Sequence, residues 1–94
     1  MEPQREQELA HLERLADELA KQGFQAEVVA EGRRPYARVT NPEHSDLTER
    51  VLCQLAEGTW CFWWSWRHPI GPVDDVALAA RRIMTALRSV EGSP

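Results

Sequence analysis

The stretch from Thr59 to Pro69 constrains the fold most, and it reads Thr-Trp-Cys-Phe-Trp-Trp-Ser-Trp-Arg-His-Pro. It holds all four tryptophans and one of the two phenylalanines of a 94-residue chain. Short aromatic runs favour a β-strand, on which successive side chains point to opposite faces. One face is then entirely apolar and should be the core face; it carries Trp60, Phe62, Trp64 and Trp66. Trp63 lies on the opposite face and needs a separate explanation.

The composition points to one acidic domain spanning residues 1–94. The net charge is −4, from 15 acidic and 11 basic residues. Nucleic-acid and membrane-surface binding need a basic footprint, so neither is expected as a partner. No apolar run approaches the roughly 20 residues of a membrane-spanning helix. The first eight residues are polar and acidic, unlike a signal peptide, so we expect a cytoplasmic protein.

The remaining apolar pattern predicts two helices and three further strands. Helical spacing of Leu and Ala indicates helices at 5–22 and 74–90, the second capped by Asp74 or Asp75. Strand patterns cover 24–30, 35–40 and 50–56, with a polar loop at 43–46. Two prolines and a glycine in 68–72 should end the tryptophan strand. The order helix, four strands, helix predicts an α+β two-layer sandwich with an antiparallel sheet and both helices on one face.

Two tight turns allow the strand registers to be predicted. A two-residue turn at Glu57-Gly58 pairs Leu55 with Trp60, Cys53 with Phe62 and Val51 with Trp64. A turn centred on Gly32-Arg33 pairs Val28 with Ala37, Ala26 with Val39 and Glu27 with Arg38. Both registers put apolar residues opposite each other on one face, and a slip of one residue would destroy that match.

The same registers place four large apolar side chains on the face that should be polar. Val29 faces Tyr36, Leu52 faces Trp63, and in a simple meander the four form one open-face patch. Its predicted rim is Glu27, Arg38, Arg50, Gln54 and Arg67. Contiguous apolar patches mark interaction sites, and Tyr, Trp and Arg are enriched at interface hot spots, whereas single surface hydrophobics are normal. We therefore expect the binding residues to be Val29, Tyr36, Arg38, Leu52 and Trp63.

No pattern in the chain predicts a catalytic, cofactor or metal site. Cys53 should face the core and Cys61 the open side, so we expect two free thiols that act as small apolar residues. The three histidines are scattered, and the polar cluster at 43–46 is most simply a solvated loop. Arg33 and Arg34 fit a hairpin tip. We expect no catalytic residue, no cofactor and no metal.

A resemblance covers Leu52 to Leu87. The run Trp60-Cys-Phe-Trp-Trp-Ser-Trp, then His68-Pro-Ile-Gly-Pro, then Asp74-Asp75 and a helix of Ala, Arg, Ile and Leu resembles the C-terminal half of small uncharacterised actinobacterial proteins. The bias of ten arginines to one lysine fits such a source. The resemblance implies no activity and no functional residues. The order of elements is also similar to secretion-chaperone-like α+β domains, which are dimeric binding proteins, although fold alone does not fix function.

Three functions are compatible with these observations. The first is a non-enzymatic protein-interaction module (an adaptor, chaperone-like or regulatory accessory protein) that forms a homodimer or binds a protein partner through the open face. The second is a small-ligand binding protein with an aromatic-lined pocket between sheet and helices. The third is a small enzyme, which would need convergent titratable groups that the strands hardly supply. The first is the leading hypothesis.

Overall fold

The chain folds as two helices on one face of a five-stranded antiparallel sheet. The structure, a computed structural model, describes the backbone of residues 3–92 and their side chains except at 3, 45 and 88–92. In chain order the elements are α1 (Pro3–Lys21), β1 (Gln25–Val29), β2 (Tyr36–Asn41), β3 (His44–Ala56), β4 (Thr59–Trp64), β5 (Pro69–Pro72) and α2 (Val76–Gly92). The sheet is a meander in the order β1-β2-β3-β4-β5. The predicted α+β class is confirmed, whereas the predicted strand count of four is wrong.

The end of α1 and the start of α2 carry the capping residues that the sequence predicted. Gly23 has φ +92°, and the Phe24 N–H donates to the carbonyl of Leu19 at 3.0 Å, which closes α1. At the start of α2 the Asp75 carboxylate accepts from the Leu78 N–H at 3.1 Å. Asp75 is therefore the cap of the two predicted candidates. Val90, the predicted last apolar residue of this helix, lies outside the described side chains.

Both predicted registers are confirmed. Val51 pairs with Trp64 and Cys53 with Phe62 across β3 and β4. The turn between these strands has positive φ at Glu57 and Gly58, the conformation expected of a two-residue hairpin loop. One core cluster lies between the helices and this face; its members are Leu12, Leu15, Leu19, Phe24, Ala37, Val39, Val51, Cys53, Phe62, Trp64, Ile70, Val73, Ala79, Ala80, Ile83 and Leu87.

The fifth strand corrects the prediction that the prolines of 68–72 end the sheet. The chain turns after Trp64 and returns as β5, which pairs Gly71 with Phe62 and Pro72 with Cys61. Proline is tolerated because β5 is an edge strand, where N–H groups on the outer side need no partner in the sheet. Arg82 of α2 donates to the Ile70 carbonyl at 2.5 Å and ties this edge to the helix layer.

Three predicted positions differ from the structure because the strands end elsewhere. Trp66 was expected in the core but is 56% exposed, since β4 stops at Trp64 and a turn redirects the chain. Leu55 was also expected on the core face, yet it is 42% exposed and its partner Trp60 is only partly buried. Leu55 and Trp60 lie where β3 and β4 extend beyond Tyr36, the first residue of β2. The predicted loop at 43–46 is mostly strand, because β3 begins at His44.

Candidate functional site

The open-face patch forms one continuous row across the sheet. Val29 is paired with Tyr36, and Leu52 with Trp63. The β2–β3 register pairs Ala37 with Val51, so Tyr36 lies next to Leu52. All four side chains are half-buried, and the two described helices pack against the opposite face of the sheet. The row spans four adjacent strands, about 14 Å at the usual strand spacing.

Charged side chains are held against this row. Arg38 lies 3.3 Å from the Glu27 carboxylate, its predicted partner, and also donates to the Tyr36 hydroxyl at 3.4 Å. The guanidinium carbon of Arg50 lies 5.1 Å from the centroid of the Tyr36 ring, a cation–π contact. Arg38 and Arg50 face each other across β2 and β3, an arrangement that is unfavourable for like charges. Glu27 and the Tyr36 ring offset that repulsion.

A concavity of about 650 Å³ lies over the β3–β4 part of the same face, lined by Arg34, Leu52, Gln54, Trp63, Trp64, Ser65 and Arg67. The apolar pair Leu52 and Trp63 lies in the middle. The registers place Gln54 towards one end and Ser65 towards the other. The volume is within the usual range for ligand sites, roughly 300–1,000 Å³. An apolar floor between polar ends can hold an amphipathic group.

Arg34 reaches the concavity because β3 is longer than β2. Beyond the start of β2, the carbonyl of Cys53 has no β2 partner, and Arg34 donates to it at 3.1 Å. The same nitrogen of Arg34 lies 3.6 Å from the carboxylate of Glu8, a residue of α1 that is largely buried. This guanidinium therefore bridges the helix layer and the sheet, and its other nitrogen atoms have no partner among the described residues.

Arg67 is positioned by the turn between β4 and β5. Its φ is +69°, an uncommon conformation outside glycine, and its N–H donates to the Trp64 carbonyl at 2.9 Å. The turn is tied back to β3 by the Ser65 N–H, which donates to the Arg50 carbonyl at 3.2 Å. Within the part of the chain that the structure describes, the Arg67 side chain makes no hydrogen bond or ion pair. Its charge is therefore available to a ligand.

Two further features concern tryptophans of β4 and of the turn that follows it. The indole N–H of Trp63 is buried and lacks an acceptor among the described residues, which is costly for a polar group. Trp66 stacks on Trp64 with centroids 4.8 Å apart and planes 6° from parallel. The stack places the exposed Trp66 ring against Trp64 at the turn.

The sheet separates the two cysteine thiols of the chain. Cys53 and Cys61 are free thiols on opposite faces, as predicted. Burial raises the pKa of Cys53 to about 12, with Glu8 adding to the effect, so this thiol stays protonated at neutral pH. Among the described residues no three His, Cys, Asp or Glu side chains form a group that could hold a metal ion. The arrangement is suited to binding through apolar contacts and guanidinium groups.

The structure brings Val29, Tyr36, Arg38, Leu52 and Trp63 together on one surface, and their binding role stays a prediction. Of the predicted rim, Gln54 and Arg67 also line the concavity. Arg34 was missed, because Arg33 and Arg34 were interpreted as a hairpin tip. Arg34 lies before β2, and its reach to the concavity depends on the Cys53 carbonyl near the end of β3, which the sequence pattern does not mark.

Comparisons with known proteins identify no relative of this chain. The chain matches no protein-family model, no curated protein and no solved structure. Neither described helix combines the length and the apolar character that crossing a membrane requires.

Proposed function

We propose that the protein is a non-enzymatic, cytoplasmic interaction module that binds a protein partner, a second copy or another protein, through its open sheet face. The observation that carries the proposal is the continuous row Val29, Tyr36, Leu52 and Trp63 on the face opposite both described helices. Contiguous apolar surface rimmed by polar residues is typical of interaction sites. An adaptor, chaperone-like or regulatory accessory role fits such a module.

The chemistry of the face supports a protein partner. Tyr, Trp and Arg are the residue types that contribute most at interface hot spots, and all three lie within or beside the row. The Arg50–Tyr36 and Arg38–Tyr36 contacts restrict these side chains before binding. Restricted side chains lose less conformational entropy when a partner docks.

Small-ligand binding is the second candidate function, and the concavity is the observation that favours it. The expected site was a pocket between sheet and helices. That region holds some of the largest fully buried side chains, among them Phe62, Leu12 and Ile83. The concavity of about 650 Å³ lies instead on the open face, so a small ligand and a protein partner would compete for the same surface.

The test compares two leucines on opposite sides of one strand. Leu52 lies in the row, whereas Leu55 is the exposed leucine of the helix side. A photo-crosslinking amino acid placed at position 52 should give protein adducts in cells, while the same group at position 55 should not. Trp63→Ser should abolish the adducts, because the ring forms part of the contact.

Sedimentation velocity on the pure protein then separates a second copy from another protein. Self-association that Trp63→Ser reverses identifies a homodimer, whereas a monomer with cellular adducts identifies a different partner. Absence of adducts at position 52, together with a monomer at every concentration, contradicts the proposed function.

A further inference from the structure

The open face is basic although the chain is acidic. Arg38 and Arg50 lie on the face, and Arg34 and Arg67 line the concavity beside them. Glu27 pairs with Arg38 and Glu8 of α1 pairs with Arg34, which leaves Arg50 and Arg67 without a carboxylate partner among the described residues. The whole chain carries a net charge of −4. The face is therefore a local positive region on an acidic protein, and its complement is acidic.

The same charges decide between possible occupants. Two copies joined through this face would bring arginines of one copy near arginines of the other, an unfavourable juxtaposition. A long polyanion would extend beyond these few arginines, and the chain as a whole is acidic, with a net charge of −4. A short acidic segment of a different protein avoids both penalties.

The spacing of the concavity defines what that segment must carry. Gln54 and Arg50 are four residues apart on β3, about 13 Å at roughly 3.3 Å per residue, with Leu52 midway. Arg34 is bonded to β3 next to Gln54, and the turn that carries Arg67 is bonded to Arg50 through Ser65. An extended peptide has the same repeat of roughly 3.3 Å per residue. Its residues i and i+4 therefore match the two ends of the concavity, and residue i+2 matches the middle.

We propose that the open face binds an extended segment of another protein in which an apolar residue is flanked, two positions away on each side, by Asp or Glu. This inference rests on the proposed function and names its partner. The apolar side chain packs on Leu52 and Trp63. One carboxylate pairs with Arg67 and the other with the unused nitrogens of Arg34, a geometry in which guanidinium groups bind carboxylates strongly.

Arg67 offers the cleanest test, because its side chain has no partner to lose. Asn tolerates the left-handed backbone that Arg67 adopts, so Arg67→Asn removes the charge with little strain. Arg67→Lys keeps the charge. Arg81→Asn is the matched control, since Arg81 is exposed on α2, which packs against the other face. Thermal unfolding of each variant shows that the fold is retained.

The probe is a fluorescein-labelled peptide, Ser-Glu-Ser-Leu-Ser-Glu-Ser, followed by fluorescence anisotropy. We expect saturable binding that weakens as salt is added. Replacing both Glu by Gln, or Leu by Ser, should each weaken binding about tenfold or more, the range of a lost charge-assisted bond or a buried leucine. Arg67→Asn should weaken binding about tenfold, Arg67→Lys should restore most of it, and Arg81→Asn should change nothing.

Failure of this inference differs from failure of the proposed function. Equal binding of the Glu and Gln peptides, no binding of the acidic peptide, or tighter binding of a single-stranded oligothymidylate overturns the acidic segment. So does a dimer that Trp63→Ser dissociates, because a second copy then occupies the face. In each case crosslinks at position 52 still support the interaction module. If those crosslinks are also absent, both the acidic-segment inference and the proposed function are wrong.

Discussion

At the scale of single residues, His11 shows how the helix layer responds to protons. Its ring packs against Trp60 with centroids 5.4 Å apart, and its Nδ1 atom is buried without a partner among the described residues. Burial, followed by the charge of Arg14, lowers the pKa of His11 below its ordinary 6.5, and Asp74 opposes this only in part. The fold therefore favours the neutral imidazole.

We predict that stability falls as the pH drops below about 6.5 and that His11 contributes to this loss. In the unfolded chain His11 binds a proton near 6.5, whereas in the fold it does so only at lower pH. The unfolded state thus binds more protons between these two pKa values, and stability decreases with falling pH there. Above 6.5 the contribution is constant. Urea unfolding between about pH 8 and pH 5 should show a smaller acid loss for His11→Gln than for the native chain, and parallel curves would contradict the assignment.

Residue positions on paired strands could be predicted because alternation has a strict period of two. The opposite faces of Cys53 and Cys61, and of Trp63 and Trp64, follow from it directly. Trp66 could not be placed, because the chain turns at Arg67. Arg67 has a left-handed backbone conformation, and such turns are usually marked in a sequence by glycine, which is absent here. Arg34 was missed for a related reason: its position depends on how far β3 extends beyond β2.

At the scale of elements, the helix caps and hairpin turns are marked by residues with a strong local conformational preference, whereas β5 is not. The glycine after α1, the aspartate before α2 and the Glu-Gly turn each have one conformational preference. A stretch with two prolines is compatible with a loop or with an edge strand. Only the partner strand β4 and the Arg82–Ile70 bond decide between them.

The cap of α2 gives a prediction with a matched control. Asp75→Ala should lower the free energy of unfolding by about 1 kcal/mol, because the Leu78 N–H loses its acceptor at the helix start. Asp74→Ala removes the same charge one residue earlier, where the side chain makes no hydrogen bond to another described residue, and should cost less. Chemical denaturation of both variants at neutral pH makes the comparison, and equal costs would show that charge, not the hydrogen bond, stabilises the helix start.

At the scale of the whole molecule, one sheet separates the packed core from an open face. The helix side holds the core cluster, and the open side holds a half-buried apolar row with arginines around it. The sequence could predict this division from the two hairpin registers alone. It could not predict the concavity, because that depends on the lengths of β2 and β3 and on the turn after β4.

The two neighbouring tryptophans test that division directly. Trp64 is 6% exposed on the core side, so Trp64→Ser should cost on the order of 3–5 kcal/mol, comparable to the total stability of many small domains. Trp63 is half-buried on the open side, and Trp63→Ser also removes an indole N–H that has no acceptor among the described residues. Its cost should therefore be clearly smaller, and the variant should stay folded while losing its partner. Urea unfolding of both variants measures the difference. Because the substitution is chemically identical and the positions are adjacent, equal losses would mean that the open side is packed as part of the core and is not a binding face.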